Sequence, residues 1–167
     1  MENELSIIDT HAHLDYPQFE GKLDEVLYRA KALQHEDKQL IVEADRLLDT
    51  VRTSFDQQAF HDGLKQIWEV VAAANRYIDQ MAPWALRKTD PNRMADVLGV
   101  LLETIRQVAI LLQPIMPNSA EQLLDQLKVK SDERNFDRLG GADRLIAGRK
   151  IDKPSGVFPR FSEDEAS

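Results

Sequence analysis

The sequence contains no cysteine. This absence excludes disulfide bonds, thiolate zinc sites and cysteine nucleophiles. A long apolar run is also lacking, because the most apolar stretch, residues 101–112, is interrupted by charged and polar side chains and is shorter than the roughly 20 apolar residues that cross a bilayer. Acidic residues Glu2 and Glu4 stand where a secretory leader would be basic. We therefore expect a cytoplasmic protein that does not associate with membranes.

Glycine is scarce, with 7 residues in 167, and aromatic residues make up only 7% of the chain. Hydrophobic residues account for 43% and charged residues for 30%, which is typical of a soluble globular domain and not of a disordered chain. The net charge of −8 is unevenly distributed: residues 1–62 contain 14 acidic and 6 basic residues, whereas residues 63–167 contain 15 of each. An acidic surplus disfavours non-specific binding to nucleic acids, and here it is confined to the N-terminal part.

Apolar residues recur with the period of a helix from about residue 19 onward. A first amphipathic stripe occupies residues 23–30 and a second occupies residues 40–51. The sequence Ser-Phe-Asp-Gln at positions 54–57 is a capping-box pattern, which predicts the start of a long helix. That helix is expected to place Phe60 first on its core face and to end at Pro83.

Two further helices are predicted beyond Pro83. Asp90-Pro91 combines an N-cap residue with a proline at the first helical position, and the stripe that follows runs to Pro114. Another helix is expected from about Asn118 to Leu127, after which glycine and proline interrupt the pattern repeatedly. The predicted fold class is therefore all-α, an antiparallel helix bundle.

We divide the chain into three parts on this pattern. Residues 1–35 form an N-terminal fragment with a short strand-like or irregular segment, which has no second strand to pair with. Residues 36–127 form the helix bundle, and residues 128–167 form an irregular tail that packs on it.

Four short sequence blocks are characteristic of one family. Ala-Asn-Arg-Tyr at positions 74–77 is followed by Pro-Trp at 83–84, then by Pro-Ile-Met-Pro at 114–117 and Val-Phe-Pro-Arg at 157–160. Together they resemble the C-terminal, α-helical anticodon-binding domain of methionyl-tRNA synthetases, over about residues 36–161. The resemblance implies a bundle of the class I synthetase type whose partner is tRNA for methionine. In that family the tryptophan after the proline stacks on an anticodon base, and the matching residue here is Trp84.

The local chemistry around Trp84 agrees with that role. An indole just past a helix end, held by Pro83, can present an open π face to an unstacked loop base. The neighbouring Arg87 and Lys88 can contact phosphates. Trp84, Arg87 and Lys88 are therefore candidate RNA-binding residues, and the alternative is a tryptophan folded over the end of the bundle.

Asn75 and Arg76 are further RNA-binding candidates, although structural hydrogen bonds and a surface charge explain them better than base reading does. Trp68 lies beside the apolar stripe in the middle of a helix and is expected in the core. The resembled family also reads the anticodon with an asparagine and an arginine on the first helix of the domain. Nothing in residues 19–35 matches those two positions, so recognition by this chain is expected to be incomplete.

Catalysis is not expected from these residues alone. The His-Ile-Gly-His and Lys-Met-Ser-Lys-Ser signatures of the family's catalytic domain do not occur in the sequence, so no catalytic residue is predicted. We expect the chain to be inactive in aminoacylation by itself.

The N-terminal fragment resembles a different family. Ile-Ile-Asp-Thr-His-Ala-His-Leu-Asp at positions 7–15 is similar to the opening strand of TatD-type metal-dependent deoxyribonucleases, and the resemblance covers about residues 5–32. His11 and His13 point to the same side of a strand and could bind one divalent metal ion weakly. The alternative is that both are solvated bystanders, because such an enzyme needs further ligands from other strands. The expected cofactor is therefore none, with a divalent metal as the exception.

Three functions from different classes follow. The first is a binding module for methionine tRNA. The second is a non-catalytic helical interaction protein, in which an apolar groove is closed by residues 20–34 or by a second copy in a homo-oligomer. The third is a metal-dependent hydrolase or nuclease built on His11 and His13.

Overall fold

The computed structural model describes residues 33–140, 144–145, 151 and 155–158. Five α-helices lie in this part of the chain, followed by two short 3₁₀ helices, Ser131–Glu133 and Phe136–Arg138. The α-helices are α1 (His35–Asp56), α2 (Phe60–Met81), α3 (Pro83–Thr89), α4 (Pro91–Leu112) and α5 (Pro117–Gln126). No strand occurs among the described residues, and the predicted all-α bundle is confirmed. The predicted strand, the stripe at 23–30 and the histidines at 11 and 13 lie outside the described residues.

The turn between α1 and α2 corrects two predictions. Ser54 does not cap α2; it lies buried inside the last turn of α1, where its hydroxyl accepts a hydrogen bond from Gln66 Nε2 at 3.2 Å. The apolar register of α1 continues through these positions, so packing overrides the local capping pattern. Phe60 is not in the core: as the first residue of α2 it lies at the end of the bundle, is 56% exposed and packs edge-on against Phe55 at a centroid distance of 5.2 Å.

Prolines lie at the starts of α3, α4 and α5, and those at 83 and 91 were predicted as helix boundaries. The Asp90 carboxylate accepts a hydrogen bond from the backbone N–H of Arg93 at 3.0 Å, and Pro91 occupies the first turn of α4. Pro83 follows the end of α2 but also begins α3, a seven-residue helix that the periodicity did not reveal. None of the described helices is both long and apolar enough to cross a membrane.

Helix α4 is the centre of the bundle and packs against α1, α2, α3 and α5. From Val97 to Leu112 every residue except Ile105 is buried. The sequence pattern treats Glu103, Arg106 and Gln107 as polar interruptions of this helix, yet all three are inside the protein. A buried charge is tolerated only when it is paired and hydrogen-bonded, so these side chains need partners within the fold.

Glu103 supplies most of those partners. Its carboxylate accepts hydrogen bonds from Arg106 Nη2 at 2.7 Å, Arg106 Nε at 2.9 Å and Gln107 Nε2 at 3.0 Å. It also accepts the backbone N–H of Leu145 at 3.0 Å, while Arg106 Nη1 donates to the carbonyl of Arg138 at 3.0 Å. This Glu103 network therefore ties the C-terminal residues to the central helix.

A second buried network lies at the N-terminal end of α4. Asp37 from the first turn of α1 accepts Tyr77 Oη from α2 at 2.6 Å and a bidentate pair from Arg93 of α4, Nη1 at 2.5 Å and Nη2 at 2.7 Å. The backbone N–H of Gln34 donates to the same carboxylate at 2.8 Å. Side chains from three helices therefore meet at one carboxylate. We call the group formed by Asp37, Tyr77 and Arg93 the Asp37 network.

Titration of this network is strongly perturbed. Burial by itself raises the pKa of Asp37, but the hydrogen bonds from Arg93, Tyr77 and the Gln34 N–H outweigh it and lower this pKa below its ordinary value. Burial and the hydrogen bond to Asp37 raise the pKa of Tyr77 far above its ordinary value. Asp37 is therefore charged and Tyr77 neutral across the neutral range.

Replacing Asp37 with asparagine should remove part of the acid sensitivity of the fold. The folded carboxyl has a lower pKa than the unfolded one, whose ordinary value is 3.8, so its stabilisation is present at neutral pH and is lost as the pH falls below that value. We expect Asp37→Asn to be less stable at neutral pH by about 3 kcal/mol and to lose less stability between about pH 5 and 2. Urea denaturation at stepped pH measures this. Asp49→Asn, on the exposed face of α1, is the control whose curve should follow the wild type; a parallel curve for Asp37→Asn would contradict the prediction.

Removing Glu103 should destabilise the bundle far more than removing an exposed glutamate. Glu103→Ala leaves Arg106 buried without its counter-charge, which costs about 3–5 kcal/mol. The matched control is Glu69→Ala, which breaks an exposed pair with Lys65 at 3.9 Å and should cost at most about 0.5 kcal/mol. The free energies of unfolding from urea titration at neutral pH give both values. Similar losses for the two variants would show that the Glu103 network does not stabilise the fold.

Candidate nucleic-acid interface

Trp84 lies on α3, the short helix that connects α2 to α4. The inner side of α3 is formed by the buried Pro83 and by Leu86, which packs against Met94 and Leu98 of α4. Trp84 is 39% exposed although its indole is large and apolar. Trp84 is therefore partly open to solvent and partly covered by the fold, and both interpretations of the sequence, a base-stacking residue and a tryptophan folded over the end of the bundle, stay open.

The entry into α3 has an unusual backbone. Ala82 has a φ of 42°, in the left-handed region, and it is both the last cap of α2 and the first cap of α3. Its N–H still donates to the carbonyl of Ile78 at 3.0 Å, and its own carbonyl accepts the N–H of Ala85 at 2.8 Å. The chain therefore changes direction at one residue without losing hydrogen bonds, and Pro83 suits the first position of the new helix.

Two cations share the exposed side of α3 with the indole. Arg87 and Lys88 are three and four residues after Trp84, so all three lie on neighbouring positions of the helix surface. Lys88 is exposed and Arg87 is half-buried. Within the described part of the chain, neither takes part in a hydrogen bond or ion pair, so both are available to an anionic ligand.

The other two predicted RNA-binding residues, Asn75 and Arg76, lie in different surroundings. Asn75 is half-buried beside an apolar groove between α2 and α4, whereas Arg76 is exposed and lines a polar cavity of about 210 Å³ with Glu36 and Glu43 of α1. The structure therefore groups Trp84 with Arg87 and Lys88 and places Asn75 and Arg76 on separate faces of α2. Trp68 packs half-buried against the core, as predicted.

The apolar groove is the second notable surface feature. It lies between α2, α4 and α5, and its walls include Ala74, Ile78, Ile105 and Leu123. The hydroxyl of Thr104, one of its two polar lining residues, donates to the carbonyl of Val100 at 2.9 Å and is therefore satisfied within its own helix. The groove consequently offers apolar contact and few hydrogen bonds.

No group of three or more metal-ligating side chains occurs among residues 33–140 and the short described segments after them. His35 and His61 are both exposed there. His11 and His13 lie outside the described residues, so the predicted metal site stays a prediction.

Sequence reasoning missed the Asp37 network, which joins α1 to the two helices on either side of α3. Its members are separated by 40 and 56 residues along the chain, and no local pattern connects them. The tyrosine was visible only as part of the Ala-Asn-Arg-Tyr block at 74–77.

Comparison with known proteins agrees with the fold. The family model described as the anticodon binding domain of methionyl tRNA ligase matches residues 28–167. The methionine–tRNA ligase of Rhizobium meliloti is 48% identical over 134 residues, which are 80% of this chain and 26% of that protein. The methionine–tRNA ligase of Mycobacterium tuberculosis is 41% identical over 129 residues, 75% of this chain and 24% of that protein.

Solved structures show the same likeness. The crystal structure of apo Mycobacterium tuberculosis methionyl-tRNA synthetase superposes with a TM-score of 0.86 at 33% identity and covers 96% of this chain and 33% of its own. The same enzyme bound by methionyl-adenylate gives a TM-score of 0.85 at 33% identity, covering 94% and 32%. The chain spans about a quarter of the length of the curated relatives that it matches. Because the family match extends over most of its residues, this chain belongs to the family of anticodon-binding domains of methionyl-tRNA ligases.

Proposed function

We propose that this chain binds the anticodon loop of methionine tRNA through α3, with Trp84 as the base-stacking residue. The observation that carries the proposal is the 39% exposure of the Trp84 indole on a helix whose other side is buried. Membership of the anticodon-binding family supports it. Since the chain spans only about a quarter of its ligase relatives, RNA binding is the function proposed for it, and aminoacylation is not.

Stacking and charge have separate roles in this proposal. Stacking of one unpaired base on an aromatic side chain contributes about 1–3 kcal/mol, which is roughly 5- to 150-fold in affinity. Lys88 and Arg87 lie beside the indole and contact phosphates of the same loop. Each phosphate contact adds about 0.7 to the slope of log affinity against log salt for a single-stranded ligand. Trp84 therefore selects an open loop, and the cations add affinity that falls with salt.

Asn75 and Arg76 have a smaller part in the proposed function. Arg76 shares its cavity with Glu36 and Glu43, whose charges repel an RNA backbone. Asn75 opens onto an apolar groove. Both residues remain predicted RNA contacts, secondary to the Trp84 surface.

Replacing Trp84 with alanine should weaken binding to a methionine anticodon stem-loop by about 5- to 150-fold. Fluorescence anisotropy of the labelled stem-loop, titrated with the full chain at fixed salt, measures the affinity. The control is Trp68→Phe, which changes the other indole of the chain, in the core, and should bind like the wild type. A stem-loop with an altered anticodon should bind about tenfold more weakly to the wild type. Equal affinity for both loops, or for wild type and Trp84→Ala, would contradict the proposal.

A second function, self-association, is favoured by the apolar groove between α2, α4 and α5. In this proposal the groove of one copy contacts a second copy. Apolar surface of this kind is often an interaction site, and the homo-oligomer predicted from sequence would remove it from water.

The mass of the chain should then depend on its concentration. Sedimentation equilibrium over about two orders of magnitude in concentration should show the mass rising above the 19.1 kDa of one chain. Ile105→Asp, in the groove wall, should keep the protein monomeric, whereas Val42→Asp on the exposed face of α1 should not. A constant mass of one chain throughout would overturn self-association and leave RNA binding unaffected.

The third predicted function, a metal-dependent nuclease, depends on His11 and His13. Both lie outside the described residues, and no observation of the described part favours this function. The likeness of residues 5–32 to TatD-type enzymes and a cytoplasmic location likewise stay predictions.

A further inference from the structure

We propose that Asp37, Tyr77 and Arg93 are positioning residues for RNA recognition, because their network holds the helix ends that flank α3 and thereby orients Trp84. The inference rests on the proposed function, since it requires Trp84 to stack on a base. The three side chains are almost entirely buried, with exposures of 0%, 4% and 9%, although Tyr77 also lines the cavity beside Arg76. We therefore expect their main effect on binding to pass through α3, and the order of Trp84 in the free protein reports on that route.

Arg93 connects to both flanks of α3. On the N-terminal side, its Nη2 lies 3.3 Å from Sδ of Met81, the last residue of α2. On the C-terminal side, its backbone N–H donates to the carboxylate of Asp90, the residue between α3 and α4. The N–H of Asp90 in turn donates to the carbonyl of Leu86 within α3 at 2.8 Å. Arg93 thus contacts Met81, just before α3 begins, and Asp90, just after α3 ends.

Asp37 and Tyr77 fix the orientation of Arg93. The guanidinium donates two parallel hydrogen bonds to the Asp37 carboxylate, a geometry that sets direction as well as distance. Tyr77, one turn before the end of α2, donates to the same carboxylate at 2.6 Å. The last turn of α2 and the first turn of α4 are therefore held at a defined separation, and α3 spans the interval between them.

Helix α3 cannot set its own orientation. It has seven residues, and isolated helices shorter than about 12 residues are marginal in water. Its entry residue Ala82 has a left-handed backbone, which costs an L-residue about 1–2 kcal/mol and has to be imposed by the surroundings. Pro83 and Leu86 contribute apolar contacts, which are not directional. Backbone hydrogen bonds at Ala82 and Asp90 join α3 to its neighbours, and the Asp37 network adds the side-chain restraint that connects its two flanks to each other.

The competing explanation is that the network only stabilises the fold. In that case any substitution with the same loss of stability would weaken RNA binding equally. The test therefore compares Tyr77→Phe, which removes only one hydroxyl from the network, with Val129→Ala, which opens a small cavity in a separate cluster formed by α4, α5 and the residues after α5. Both variants are mild enough to remain folded at 25 °C, and urea denaturation establishes how closely their stabilities match.

The readouts are RNA affinity and the local order of Trp84. Affinity is measured by anisotropy of the labelled methionine anticodon stem-loop with the full chain. Order is measured as the fluorescence anisotropy and acrylamide quenching of Trp84 in the free protein, in a Trp68→Phe background where it is the only indole. Arg93→Lys is the second network variant, since it keeps the charge and loses the bidentate geometry.

We expect Tyr77→Phe and Arg93→Lys to bind the stem-loop about fivefold more weakly, as the stacking contribution declines when the indole is held less firmly. Trp84 should become more mobile and more easily quenched in both. Val129→Ala should match the wild type in affinity and in Trp84 order.

Wild-type affinity and wild-type Trp84 order in both folded network variants, or equal weakening by Val129→Ala, would overturn the inference. Failure of the unaltered chain to prefer the methionine loop would instead overturn the proposed function, while the Trp84 measurements in free protein still test the positioning.

Discussion

The pairing of Asp37 with Arg93 is the interaction on which the meeting of α1, α2 and α4 beside α3 depends. A carboxylate without water around it is unstable unless its oxygens are hydrogen-bonded. Asp37 of α1 meets this condition with four donors: the backbone N–H of Gln34, the hydroxyl of Tyr77 from α2 and two N–H groups of Arg93 from α4. Because each donor has its own direction, the network restrains how the three helices meet. Apolar packing alone would allow them to slide, since dispersion contacts tolerate small shifts.

The second buried network has a different consequence. Glu103 and Arg106 lie in the middle of α4 and bind residues that follow α5, so the C-terminal residues 138 and 145 are attached to the centre of the bundle. Asp45 of α1 also takes part, through Gln107 and through an ion pair with Arg144. The two networks involve different parts of the central helix. The first turn of α4 contacts the residues that flank α3, and the middle of α4 contacts the C-terminal residues. Buried ionic groups of this kind contribute geometry more reliably than net stability.

The candidate RNA surface depends on a backbone conformation at Ala82 that alanine does not favour by itself. Ala82 adopts a left-handed backbone that an alanine avoids in isolation, and in doing so it turns the chain out of α2 and into α3. Pro83 and Leu86 are then directed inward, and Trp84 and Lys88 outward. Strain concentrated beside a candidate binding residue is consistent with a surface organised for recognition.

The sequence by itself determined the helices and most of their ends. Apolar residues at helical spacing, Asp90-Pro91 and the prolines near positions 83 and 117 predicted four of the five described helices within a few residues, because these signals act within one or two turns. Family motifs in the same local blocks predicted Trp84 as an RNA-binding residue, and this role stays a prediction. Local signals failed at Ser54 and Phe60, where packing between α1 and α2 decided which residue was inside. Only the tertiary structure decided that Glu103, Arg106 and Asp37 are buried and paired, and that Asn75 and Arg76 diverge. Such contacts join residues as far as 56 positions apart, and their free energy depends on surroundings that no short stretch of sequence contains.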